Sequence, residues 1–119
     1  MRTVHDILEA FAFINLSGTL IHDRIEKIWS EGEDITHRYY SITVLEDDHI
    51  FSDILHMTSA SRNYDELLTL KYVHTCYGNE GYQNRGVTVI TDPDEFLKLA
   101  REWPPGDTDC SWIHDLANK

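Results

Sequence analysis

The pattern of apolar positions changes period along this chain, and each change marks an element. The clearest run is Val87 to Trp103. Val87, Val89 and Ile90, with Thr88 and Thr91, are β-branched and suit a pleated, half-buried surface. Asp92 stands where an N-cap belongs, and Pro93 occupies the first helical position, where a missing N–H costs little. Glu95 has the spacing of a capping box, and Phe96, Leu99, Ala100 and Trp103 share one helical face. Pro104-Pro105-Gly106 stops the helix. A strand, a capped turn and a helix are therefore expected here, with the rest of the fold packed around them.

Two upstream segments carry a helical period. Thr3 to Leu16 places Val4, Ile7, Leu8, Phe11 and Ile14 in one stripe, with Thr3 and Asp6 at capping spacing. After Ser17-Gly18, Thr19 to Ser30 sets Ile21, Ile25, Ile28 and Trp29 on one helical face, and Gly32 fits a left-handed C-terminal cap. Together they predict an N-terminal helical hairpin. A DNA-reading helix-turn-helix would need a basic second helix. Here Asp23 and Glu26 offset Arg24 and Lys27, and Glu31, Glu33 and Asp34 follow, which favours a structural hairpin.

From Ile35 the period falls to two. His37 to Leu45 alternates, with Tyr40, Ile42 and Val44 on one side and Tyr39, Ser41 and Thr43 on the other, as in a half-buried strand. Glu46-Asp47-Asp48 reads as a solvated turn. His49 to Met57 fits either period; a strand hairpinned to its predecessor is the reading adopted. Thr58 to Asn63 is small and polar, as in a loop. Asn63 and Glu66 resemble a helix start. Leu68, Leu70, Tyr72, His74 and Cys76 alternate, however, in a stretch rich in β-branched and aromatic residues, and this predicts a strand over Leu67–Tyr77. Gly78-Asn79-Glu80-Gly81 and Asn84-Arg85-Gly86 carry turn chemistry and lead to Val87–Thr91 as an antiparallel neighbour. Beyond Pro105, Asp109 is placed to cap a short helix, CSWIHDL, with Trp112, Ile113 and Leu116 against the body. The expected fold is one α+β domain: an N-terminal helical hairpin, a mostly antiparallel sheet of about three to four strands, and C-terminal helices packed on it.

Composition narrows the function classes. With 41% hydrophobic and 26% charged residues in 119, the chain has the makings of one packed core. No apolar run nears the ~20 residues of a membrane span. Asp6 and Glu9 interrupt the N-terminal stretch, so no secretory leader is expected. Two cysteines are too few for a disulfide framework, and a cytoplasmic protein with free thiols is the default. The net charge of −11 repels phosphate backbones and anionic membranes and favours a basic protein surface, although solubility alone also accounts for it. Protonating all seven histidines would move the charge to −11 + 7 = −4, so charge-driven binding should weaken where His titrates.

Candidate chemistry is sparse. His74, Cys76, Cys110 and His114 offer two imidazoles and two thiolates, a tetrahedral zinc set, although the spacing is not that of a common finger. Buried thiols and a strand histidine explain the same residues. His-Asp occurs at His5-Asp6, His22-Asp23 and His114-Asp115, but metal phosphohydrolases built on that pair use an all-helical frame. There is no Gly-x-Ser-x-Gly elbow, no P-loop and no calcium loop, and no cofactor is implied.

Two features point to recognition. The loop Tyr77–Gly86 carries Tyr77 and Tyr82 as rigid anchors and Arg85 as a polar contact. Acid clusters recur at Glu31/Glu33/Asp34, Glu46/Asp47/Asp48, Asp92/Asp94/Glu95 and Asp107/Asp109. Gathered on one face they could imitate a phosphate row; scattered, they would only keep the protein soluble. The expectation is a small acidic, non-catalytic protein-binding module of the inhibitor, immunity or adaptor type, engaging a basic protein surface such as that of a nucleic-acid enzyme. The alternative is a metal-dependent small enzyme or zinc-stabilised domain using the His and Cys residues.

Overall fold

The structure is a computed structural model that describes residues 3–14, 19–46, 49–78 and 84–102, with the side chains of 19–22, 44–46, 49–51, 76–78 and 84–85 left aside. It begins with helix α1 (Val4–Ile14), continues through five strands, β1 (Thr19–Ser30), β2 (Glu33–Glu46), β3 (His49–Ala60), β4 (Asn63–Gly78) and β5 (Asn84–Ile90), and ends in helix α2 (Pro93–Arg101). The strands form one antiparallel meander in the order β1-β2-β3-β4-β5. Both helices lie on the same face and touch each other; α1 rests on β3 and β4, and α2 on β5.

The core is the layer between helices and sheet. Ile42, Leu55, Met57, Leu70, Tyr72 and Ile90 from the strands meet Val4, Ile7, Phe11 and Ile14 of α1 and Phe96, Leu99 and Ala100 of α2. Phe11 sets its edge on Tyr72 at 6.4 Å between centroids, and Phe96 packs on the same ring at 4.8 Å. Both helix starts are fixed locally. The Thr3 N–H donates to the Asp6 carboxylate at 3.3 Å while the Asp6 N–H donates to the Thr3 hydroxyl at 3.1 Å, a reciprocal capping box. The Asp92 carboxylate accepts the Asp94 N–H at 2.9 Å, with Pro93 next in line as expected.

The principal correction concerns residues 19–30. They form strand β1, so the N-terminal helical hairpin does not exist and the sheet has five strands. Ile21, Ile25 and Ile28 mimic a helical stripe, but in a strand Ile25 and Ile28 point to opposite faces. Neither is buried, and Trp29 is more exposed still. No core demanded that spacing. The decisive local feature is Glu31-Gly32, with φ of 51° and 88°, the two left-handed residues of a tight hairpin turn that returns the chain along β2. Gly32 is left-handed as expected, but in a hairpin rather than at a helix end.

Smaller corrections follow the same logic. Thr58, Ser59 and Ala60 close β3 instead of forming a loop, and only Ser61-Arg62 turns. Asn84–Gly86 belongs to β5. The strands read over 37–45, 49–57, 67–77 and 87–91 are all present, each longer or shifted by a few residues. The helix expected after Asp109, and Trp103, lie outside the described residues. Among the described residues no helix is long and apolar enough to cross a membrane.

Candidate functional site

Both helices sit on one face of the sheet, and no described element covers the other. Strand alternation and antiparallel register decide what it carries. Arg24 of β1 stands beside Tyr39 of β2, Tyr39 beside His56 of β3, and His56 beside Lys71 of β4. This is a single row across four strands, cationic at both ends and aromatic in the middle. The Arg24 guanidinium lies over the Tyr39 ring at 4.3 Å from its centroid, a cation–π contact. Tyr39 and His56 stack at 4.4 Å with their planes 7° apart.

The neighbouring row adds Glu26 and His37. His37 Nδ1 and His56 Nε2 are 3.0 Å apart, a hydrogen bond in which one ring donates and the other accepts. The accepting nitrogen must be unprotonated, so this geometry requires at least one neutral imidazole. The Tyr39 hydroxyl is 3.4 Å from both the Glu26 carboxylate, to which it donates, and His37 Nδ1. Partial burial, first, and then His37, Lys71 and Arg24 hold His56 below its ordinary pKa; Glu26 opposes them.

On the other flank runs an apolar row: Ser41, Ile54, Val73 and Val89 across β2 to β5, with Val87 one row further. Ile54, Val87 and Val89 are each about half exposed, as is Ile28 near the β1–β2 turn. A face that pairs pre-stacked aromatic and cationic groups with exposed aliphatic side chains suits contact with another surface.

A second polar group is buried on the covered face. His74 Nδ1 lies 2.6 Å from the Asp53 carboxylate, both side chains nearly inaccessible. Asp53 is the residue that breaks the apolar alternation of β3, and the partner opposite it on β4 is His74. The break is thus a matched polar pair, in which the Asp53 carboxylate and His74 Nδ1 supply each other's hydrogen bond in the core. Burial and, secondarily, Asp53 push the Tyr72 phenol well above its ordinary range, so it stays neutral. Elsewhere, a shallow open groove of about 560 Å³ runs between α1 and α2, lined by Asp6, Glu9, Phe13, Leu97 and Arg101 among others.

The residues singled out in the sequence are spread across this frame. Of the zinc candidates, His74 is held by Asp53, Cys76 lies two residues further along β4, and Cys110 and His114 lie outside the described residues. No group of three or more His, Cys, Asp or Glu side chains converges as metal ligands among the described residues. Tyr77 lies in β4 opposite Ile50 of β3 and Asn84 of β5, and Arg85 lies in β5; their side chains, and Tyr82 entirely, fall outside the described set.

The acids that are described lie at separate places in the fold, and Asp107 and Asp109 lie outside the described residues. Glu31, Glu33 and Asp34 sit at the β1–β2 turn, where Glu33 faces Arg62 at 3.8 Å. Glu46 ends the same strand that Glu33 begins, placing it at the far edge of the sheet; Asp47 and Asp48 lie outside the described residues. Asp92 is occupied as a cap. A phosphate-like row of carboxylates gains no geometric support from this distribution.

The row Arg24–Tyr39–His56–Lys71 escaped sequence reasoning because its members are far apart in the chain and share no motif. Only the register brings them together. The outward alternation of Tyr39 was the one available sign. No protein-family model matches this chain, and neither a curated protein nor a solved structure does.

Proposed function

We propose that this protein is a non-catalytic binding module whose contact surface is the face of its sheet opposite α1 and α2. The observation that carries this reading is the coexistence, on one face, of a stacked Arg24–Tyr39–His56 row and the exposed aliphatic residues Ile54, Val87 and Val89. Aromatic and Arg side chains held in place before contact lose little conformational freedom on binding, which favours them as anchors. The partner is a protein with a basic surface. Charge and contact have separate roles here. The net charge of −11 steers the encounter over long range, while the face itself, with Arg24 and Lys71 against Glu26, is nearly balanced and supplies the short-range fit.

The test is a double substitution, Ile54→Asp with Val89→Asp, assayed against the partner captured by crosslinking in the native host. Affinity should fall about ten-fold or more, as expected when central apolar contacts are lost, with the circular dichroism spectrum unchanged. Raising the salt should slow association of the wild-type protein much more than dissociation. Unchanged affinity in the double variant would remove the sheet face from the interface.

A further inference from the structure

We infer that β1 is a self-pairing edge: two copies of this chain join antiparallel along β1 to make one continuous ten-stranded sheet about a two-fold axis at Ile25. β1 is the terminal strand of the sheet, and no described element pairs with its outer side. At twelve residues it is long for an edge strand, and long regular edges invite pairing. Its register with β2 runs unbroken from His22 to Ser30; the only irregularity lies between Leu20 and His22. The central part is therefore a regular template.

The charge pattern selects one partner and one register. Residues 23–27 read Asp-Arg-Ile-Glu-Lys, a sequence of charges that is complementary to its own reverse. In an antiparallel pair whose facing positions sum to 50, Asp23 meets Lys27 of the second copy, Arg24 meets Glu26, and Ile25 meets Ile25. The two-fold axis repeats these contacts, giving four opposite-charge pairs around an apolar centre. Facing pairs in antiparallel strands share one side of the sheet, so each can form.

The neighbouring registers fail. A sum of 49 sets Asp23 against Glu26, and 51 sets Arg24 against Lys27. A sum of 48 opposes Arg24 to Arg24, and 52 opposes Glu26 to Glu26. Like charges directly opposite are destabilising, so one register survives out of five.

Exposure agrees with this arrangement. Ile25 is 53% and Trp29 69% exposed in the single chain, with Ile25 at the axis and Trp29 on the same side four residues away. The charged side chains stay accessible although Tyr39 touches two of them: Arg24 and Glu26 lie 4.0 Å apart and are about half exposed, with Arg24 over the Tyr39 ring and Glu26 accepting from its hydroxyl at 3.4 Å, and Lys27 lies 5.9 Å from the Tyr64 ring centroid. An isologous contact of this kind closes on itself and stops at two copies along this edge.

Sedimentation velocity of the full chain over a concentration series at moderate salt tests the proposal. A reversible monomer–dimer equilibrium is expected. Lys27→Asp faces Asp23 with a second Asp in both symmetric pairs and should weaken the dimer about ten-fold or more. Adding Asp23→Lys to that variant reverses both signs and should restore wild-type dimerisation. Independently, Ile25→Lys places two ammonium groups across the axis and should give monomer. All these side chains are exposed, so each variant is expected to fold, which circular dichroism would check. A wild-type chain that stays monomeric throughout, a dimer indifferent to Lys27→Asp, or a double swap that fails to restore association would each overturn the inference.

Discussion

The His37–His56 bond makes the open face sensitive to acid. A base whose pKa is lowered on folding binds protons more readily in the unfolded chain. For His56 the folded value lies below the ordinary 6.5, so its contribution is intact above about 6.5 and is lost as pH falls from there through the folded value. Urea midpoints measured between pH 7.5 and 5 should decline, and His56→Gln should flatten that slope; an unchanged slope would show that His56 does not report on folding. Backbone strain is the second local matter. Gly32 has φ of +88° and open space where a Cβ would go, so Gly32→Ala should cost about 1 kcal/mol through conformation alone. Glu31 at φ 51° is an L-residue in the same left-handed region, and Glu31→Asn should gain a few tenths of a kcal/mol in a denaturation curve.

Among the elements, the two faces of the sheet should respond very differently to truncation. Leu55→Ala, at a fully buried strand position under the helices, should cost about 3 kcal/mol in chemical denaturation. Ile28→Ala, on the face opposite the helices, should cost no more than about 0.5 kcal/mol. That contrast also explains which elements could be read in advance. α1, α2 and β2 each bury one stripe at their own period, and their caps are local, so Val4–Ile14, the Asp92-Pro93 start and the Tyr40–Ile42 alternation were all legible. β1 was not, because its described apolar side chains, Ile25, Ile28 and Trp29, are roughly half exposed or more, and no core fixes their spacing. The Glu31-Gly32 turn was visible, but its meaning depended on whether a strand preceded it. The Asp53–His74 pair looked like a flaw in a strand until the register supplied its partner. The site row lies furthest from the sequence, since its four residues become neighbours only through three successive hairpin registers.

At the level of the whole molecule, charge and topology act separately. The described carboxylates are spread over the β1–β2 turn, the strands and the helix starts, and a net charge of −11 acts as a long-range field. Topology sets the order of assembly. Each strand pairs with the one before it through a hairpin, so the sheet can grow from local contacts, whereas the helical layer joins the first described element to the last. A chain ending at residue 91 would lack Phe96, Leu99 and Ala100 and leave Tyr72 and Ile90 half covered. Such a chain should bind a hydrophobic dye and lose its cooperative melting transition; a sharp transition would show that α1 alone suffices.

On the ribosome, this arrangement imposes a waiting period. The five strands emerge before the second half of their roof has been synthesised, and the nascent sheet meets the cytosolic or extracytosolic milieu with a greasy underside that α1 only partly shields. Slowing translation just ahead of the codons for 93–101 would prolong that exposure, and a chaperone that captures apolar strands would have its opportunity there.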